Sequence, residues 1–268
     1  MKTKWLTSGF LSLLLFSGCS CQKNIDHNKI NFLLYQNFED RNIAEVKKML
    51  ELGANVNYHP QDALSMLEQA VIEGNLPLCE LLLKHGANTE NDAHKRNLLS
   101  YTTDKKIAQL LVQSGIHLDN IDIYGNLPIH WICCRRNTNQ ELLKYFLKKG
   151  SNVNAINIKG QTPLHIACFT SKNDEKFDYV KLLLEYGSNV NLRDNAGCTS
   201  FLYAAYHNNP RILKLLAPKT FINAQDNQGN TALHGAYILD GHKNIPLLLE
   251  LGVSPQIRNK AGKLYNEK

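Results

Sequence analysis

Apolar residues recur at three- and four-residue spacing in four short stretches, Val46 to Leu50, Leu78 to Leu83, Leu142 to Leu147 and Val180 to Leu184. Each stretch predicts a short helix with one core-facing side. A glycine follows each of them, at 53, 86, 150 and 187, where a left-handed residue ends a helix. Upstream of the last stretch, Thr162-Pro163 puts a hydroxyl acceptor at an N-cap and a proline at the first helical position, where its missing N–H costs nothing. Short helices therefore come in pairs, and each pair leaves an apolar face that only a neighbouring pair can cover.

The pairs repeat. Gly160-Gln-Thr-Pro-Leu-His-Ile-Ala-Cys168 is echoed by Gly125-Asn-Leu-Pro-Ile-His130 and Gly229-Asn-Thr-Ala-Leu-His234, and more weakly from Gly197 and Gly262. These glycines lie 35, 37, 32 and 33 residues apart. A second motif keeps the same register, as in Leu52-Gly-Ala-Asn-Val-Asn57, His85-Gly-Ala-Asn88, Lys149-Gly-Ser-Asn-Val-Asn154 and Tyr186-Gly-Ser-Asn-Val-Asn191. A period near 33 carrying both motifs resembles the ankyrin repeat. The resemblance runs from about Ile30 to the C-terminus and implies an all-α helical solenoid of about six helix-pair units plus caps, joined by short β-turn fingers. Units begin near residues 30, 59, 91, 120, 155, 192 and 225, the first and the tail after Arg258 being incomplete caps.

Some units depart from the pattern. Only 29 residues separate Gly86 from Gly115, and Thr102-Thr103-Asp104 replaces the usual small-residue helix end, so the first helix there is expected to be short or broken. Leu202 stands where the other units have histidine, and Ala217-Pro218-Lys219 where the capping glycine belongs, which predicts altered stacking. Extra polar residues in Arg135 to Gln140 and Thr170 to Phe177 are either recognition loops or tolerated insertions.

The N-terminus follows different rules. Lys2 and Lys4 form a basic start, Trp5 to Phe16 an apolar run too short for a stable membrane-spanning helix, and Ser17-Gly18 a small-residue cleavage site before Cys19. Phe16-Ser-Gly-Cys19 resembles the lipobox of bacterial lipoproteins, although leucine is usual at the place of Phe16. The resemblance implies removal of residues 1–18, acylation of Cys19 and a tether over 19–29 leading to a domain over 30–268. The protein is then expected to face the periplasm as a membrane-anchored lipoprotein, on the outer membrane if the bacterium has two. An ordinary secretory signal is the alternative.

Composition changes this picture little. Without Lys2 and Lys4, 28 basic residues face 24 acidic ones, too mild and too interspersed a balance to suggest nucleic acid. His130 with Cys133 and His165 with Cys168 have the i, i+3 spacing of paired metal ligands. In ankyrin repeats, however, that histidine bonds the turn and the cysteine position is a buried small residue, so no metal site, cofactor or catalytic residue is expected, and the thiols are expected to be free and buried. Equivalent positions in stacked repeats lie about 10 Å apart, too far for a disulfide. Cys21, in the tether, is free to pair between chains.

Function is therefore expected on the finger tips and the exposed side of each first helix. The residues proposed for partner binding are Ile123, Tyr124, Arg135, Ile158, Lys159, Phe169, Tyr206 and His207, with the possibility that some of these rings turn into the core. Some small bacterial ankyrin-repeat lipoproteins are immunity proteins against toxins such as phospholipases. That resemblance implies a monomeric inhibitor whose partner is a toxin effector of the phospholipase type. An envelope scaffold is the second reading, and an enzyme using the Cys/His columns the third.

Overall fold

The computed structural model describes residues 27–60, 63–90, 97–135, 140–172, 174–207 and 209–267. Cys19, Cys21 and residues 136–139 of the first long loop lie outside them. The chain forms two compact units that divide between Tyr58 and His59.

The N-terminal unit holds α1 (His27–Glu39) and α2 (Ile43–Glu51) packed on each other. Ile30, Leu34 and Phe38, spaced by four, are buried. They carry the helix back to His27, so the last three residues read from their polar composition as tether are helical. Asn42 caps α2 by accepting from the Glu45 amide.

The second unit is a stack of paired helices. The pairs are α3 (Met66–Glu73) with α4 (Leu76–Lys84), a 3-10 turn at Leu98–Ser100 with α5 (Lys105–Gln113), α6 (Pro128–Cys134) with α7 (Gln140–Lys148), α8 (Pro163–Thr170) with α9 (Phe177–Glu185), α10 (Ser200–Tyr206) with α11 (Pro210–Leu216), and α12 (Ala232–Ile238) with α13 (Ile245–Glu250). First helices α6, α8, α10 and α12 pack in series, and second helices α4, α5, α7, α9 and α11 form the layer behind them. Core side chains such as Ile129, Leu164, Val180, Phe201, Leu213 and Leu233 come from both layers. No strand occurs among the described residues.

The irregular units have local causes. Asp104 accepts from the amides of Lys106 and Ile107, so Thr102-Thr103-Asp104 starts α5 early and leaves room for a single turn before it. Ala217-Pro218-Lys219 continues α11 as a 3-10 turn in place of a glycine cap. The long connection after α8 serves as a bracket between repeats. The Asp174 carboxylate accepts from the Arg211 and Ile212 amides at the start of α11. Asn209 accepts from the Asp174 amide and the Ser171 hydroxyl and donates to the Ser171 carbonyl. On the other side the buried Lys176 ammonium donates to the Arg135 carbonyl at the end of α6 and lies 4.5 Å from the Tyr179 ring centre. One loop thus ties its own unit to both neighbours.

Candidate protein-binding surface

Each finger is a tight turn built on one Asp or Asn. Asp122 Oδ1 accepts from the amides of Tyr124 and Asn126, and Asn157, Asp194, Asp226 and Asn259 make the same pair of bonds in the later fingers. The fingers then bond to one another in sequence. Ile158 donates its amide to the Tyr124 carbonyl, Asn195 to Lys159, Asn227 to Ala196 and Lys260 to Gln228, all at 2.9–3.0 Å. This close approach requires glycine: a Cβ on Gly197 would lie 2.8 Å from the Asn227 amide nitrogen, at φ +77°. The tips are therefore held in fixed register along the unit.

Buried histidines support the fingers from below. His165 Nδ1 accepts from the Thr162 amide, which leaves the proton on Nε2, where it is shared between the carbonyls of Leu192 and Cys198 in the next finger. His130 joins the Leu127 amide to the Ala155 carbonyl, and His234 the Thr231 amide to the Lys263 carbonyl. Burial pushes the basicity of His130 and His165 below the ordinary value. Both ring nitrogens are thus engaged by backbone, and Cys133 and Cys168 are free, buried thiols, the first pushed by burial up to about 12. Among the described residues no group of three or more His, Cys, Asp or Glu has the arrangement of a metal site.

The fingers differ in what they expose. The first two read Ile-Asp-Ile-Tyr-Gly at 121–125 and Ile-Asn-Ile-Lys-Gly at 156–160, and Ile121, Ile123, Tyr124, Ile156 and Ile158 are 47–63% exposed. The next two are polar, Arg-Asp-Asn-Ala-Gly at 193–197 and Gln-Asp-Asn-Gln-Gly at 225–229. Between the apolar fingers and helices α6 and α8 runs a groove of about 230 Å³ walled by Tyr124, Trp131, Ile158, Ile166 and Phe169, with Lys159 and the exposed Cys134 at its edge. Trp131 is fixed there by donating to Asp122 Oδ2 at 3.0 Å.

Four of the residues expected at the surface, Tyr124, Ile158, Lys159 and Phe169, meet at this groove, and Ile123 stands exposed on the first finger tip. The other three lie differently. Arg135 is half-buried and donates to the Tyr101 carbonyl. His207 packs edge-on against Phe169 with centroids 5.4 Å apart. Tyr206 is half-buried, with its ring over Gly235 of α12 and its hydroxyl 3.9 Å from Cys198 Sγ. Here the absent side chain at Gly235 draws the ring inward. Trp131, Ile121 and Ile156 belong to the surface without having been expected there. The Ile-x-Ile alternation around Asp122 and Asn157 is the sequence signal that marks the last two.

The comparisons with known proteins agree with this architecture. The family model "Ankyrin repeats (3 copies)" matches residues 97–194 and again 170–259, together more than half of the chain. Among curated relatives, one ankyrin repeat protein of Acanthamoeba polyphaga mimivirus is 41% identical over 68 residues, a quarter of this chain and 9% of its own length. One of fowlpox virus is 33% identical over 94 residues, 35% of this chain and 14% of its own. A second mimivirus protein is 26% identical over 249 residues, covering 79% of this chain, which spans 31% of that protein. Among solved structures, the ankyrin repeat domain of Bcl-3, described as a unique member of the IkappaB protein family, superposes with a TM-score of 0.61 at 25% identity, covering 77% of this chain and 93% of that one. Proteins of this architecture are typically binding modules without enzymatic activity. The chain belongs to the ankyrin-repeat family and carries its protein–protein interaction architecture.

Proposed function

We propose that the chain binds one partner protein through the two apolar fingers and the groove beside them. The observation that carries this reading is the change from apolar to polar between the second and third fingers. Stacking would be served equally well by polar tips, as the third and fourth fingers demonstrate, so the exposed Ile121, Ile123, Tyr124, Ile156 and Ile158 need a different reason. Exposed apolar residues gathered on a rigid support, with a polar rim, mark interaction surfaces.

The finer reading is that of a lipid-anchored immunity protein which covers a toxin effector, of the phospholipase type, in the periplasm. It draws on the lipobox-like Phe16-Ser-Gly-Cys19 and on the resemblance to small ankyrin-repeat lipoproteins. Its test has two arms. The full chain is co-expressed with a phospholipase-type toxin encoded beside its gene, and complex formation and lipase activity are measured with Ile123→Asp and Ile158→Asp as variants. A complex with suppressed lipase activity, lost in those variants, supports the reading. A free and fully active lipase overturns it. In parallel, labelled fatty acid should enter the chain and fail to enter Cys19→Ser, and equal labelling would remove the anchor from the account.

A further inference from the structure

The charges around the groove narrow the chemistry of its partner. Lys159 is the one charged residue among those lining it, and it makes no ion pair among the described residues. Asp122, the carboxylate behind the groove wall, is buried and already accepts from Tyr124, Asn126 and Trp131, at Oδ1 from two amides and at Oδ2 from the indole and the Asn126 side chain. Close to the Cys134 thiol, Lys176 is buried with its ammonium on a carbonyl and an aromatic ring, and no described carboxylate lies within ion-pair distance of it. A concave site with low-dielectric aromatic walls focuses such a field. The groove therefore combines apolar walls with one ammonium, that of Lys159, free to pair, and the oxygens of Asp122 behind the wall are already taken by protein donors.

Building on the reading that this surface binds protein, we propose that the groove takes an acidic protein segment with one apolar anchor, an aromatic or large aliphatic side chain seated between Tyr124, Trp131 and Phe169. A neighbouring carboxylate of that segment pairs with Lys159. A volume of about 230 Å³ suits one such side chain, which matches an anchor residue better than the flat face of a folded domain.

The chain contains its own reporter. Trp131 lies in the groove wall, and the remaining tryptophan is Trp5. The full chain carrying Trp5→Phe is titrated with three synthetic nonapeptides: glutamate and serine around a central phenylalanine, the same with glycine in the centre, and the same with lysine for glutamate. The expected result is a saturable change in Trp131 emission with the first peptide alone, weakened about fivefold or more by Lys159→Glu and unaffected by Lys214→Glu on α11. A lysine peptide that binds as well as the glutamate one, a glycine peptide that binds equally, or no response to any peptide overturns the inference. If the partner complex of the preceding section is lost in Ile158→Asp while no peptide binds, the acidic-anchor inference falls and the binding surface stands.

Discussion

Among the glycines of the stack, Gly235 leaves the least room for a side chain, and adding one methyl group there tests how α10 and α12 are joined. A Cβ on Gly235 would lie 1.7 Å from Tyr206 Cε1 and 2.1 Å from Cδ1, whereas carbon atoms rest at about 3.5–4.0 Å. The ring must move by roughly 2 Å or leave. Moving it against Tyr203, whose ring stands edge-on with centroids 6.1 Å apart, is overpacking and costs about 1–3 kcal/mol. Expelling it forfeits burial worth about 1.5–3 kcal/mol for a large apolar side chain. Against this, alanine is favoured over glycine inside a helix by about 1 kcal/mol. Gly235→Ala is therefore expected to destabilise by up to roughly 2 kcal/mol on the same figures. The assay is urea unfolding by circular dichroism on the wild type, Gly235→Ala, Tyr206→Ala and the double variant, reading midpoint and slope because repeat arrays can unfold in stages. In the Tyr206→Ala background the clash is gone, so Gly235→Ala should become neutral or stabilising, a coupling of 1 kcal/mol or more by typical contact values. Stabilisation by Gly235→Ala with Tyr206 present, or equal effects in both backgrounds, would refute the packing described.

Three further outcomes follow from the same geometry. Because burial lowers the folded-state basicity of His130 and His165, the unfolded chain binds more protons below the ordinary histidine value. Stability should then be complete above about pH 6.5 and fall toward the depressed values, by up to about 1.4 kcal/mol per pH unit for each ring. Urea midpoints that stay level or rise between pH 7.5 and 5.5 would contradict this. Asp174→Ala removes the acceptor for two amides of α11 and should cost about 1 kcal/mol, read as a lower thermal midpoint. Among Cys79, Cys133, Cys134, Cys168 and Cys198, only Cys134 is exposed, and burial pushes the thiols of Cys79 and Cys133 up to about 12. A thiol reagent should modify Cys134 at once in the native chain and the buried four after unfolding. Rapid native reaction at Cys133 would show that the inner helices open.

Periodicity carried the fold because each unit repeats the same local chemistry. Thr162-Pro163 starts α8, the glycines at 53, 86, 150 and 187 take positive φ, and His165 bonds the turn, all within a few residues of one another in the chain. What local sequence could not show are contacts between units. Asp174 caps a helix that begins 36 residues later, Lys176 reaches back to Arg135, and Tyr206 is turned inward by the absence of a side chain at Gly235. For the same reason only some of the residues expected at the surface face outward. The finger residues Ile123, Tyr124, Ile158 and Lys159 face outward because the turn itself dictates their direction. The directions of Arg135 and Tyr206 depend on what neighbouring repeats offer them.

Fingers 121–124 and 156–158 carry the proposed protein-binding surface. It is tested by the yield of the complex with the co-expressed partner for Ile123→Asp and Ile158→Asp, beside Ile238→Asp, a still more exposed apolar residue at the end of α12. Both finger variants should lose the complex while keeping their helical circular dichroism, and Ile238→Asp should retain it. A complex that survives both finger changes, or that Ile238→Asp alone abolishes, would place the binding surface elsewhere on the repeats.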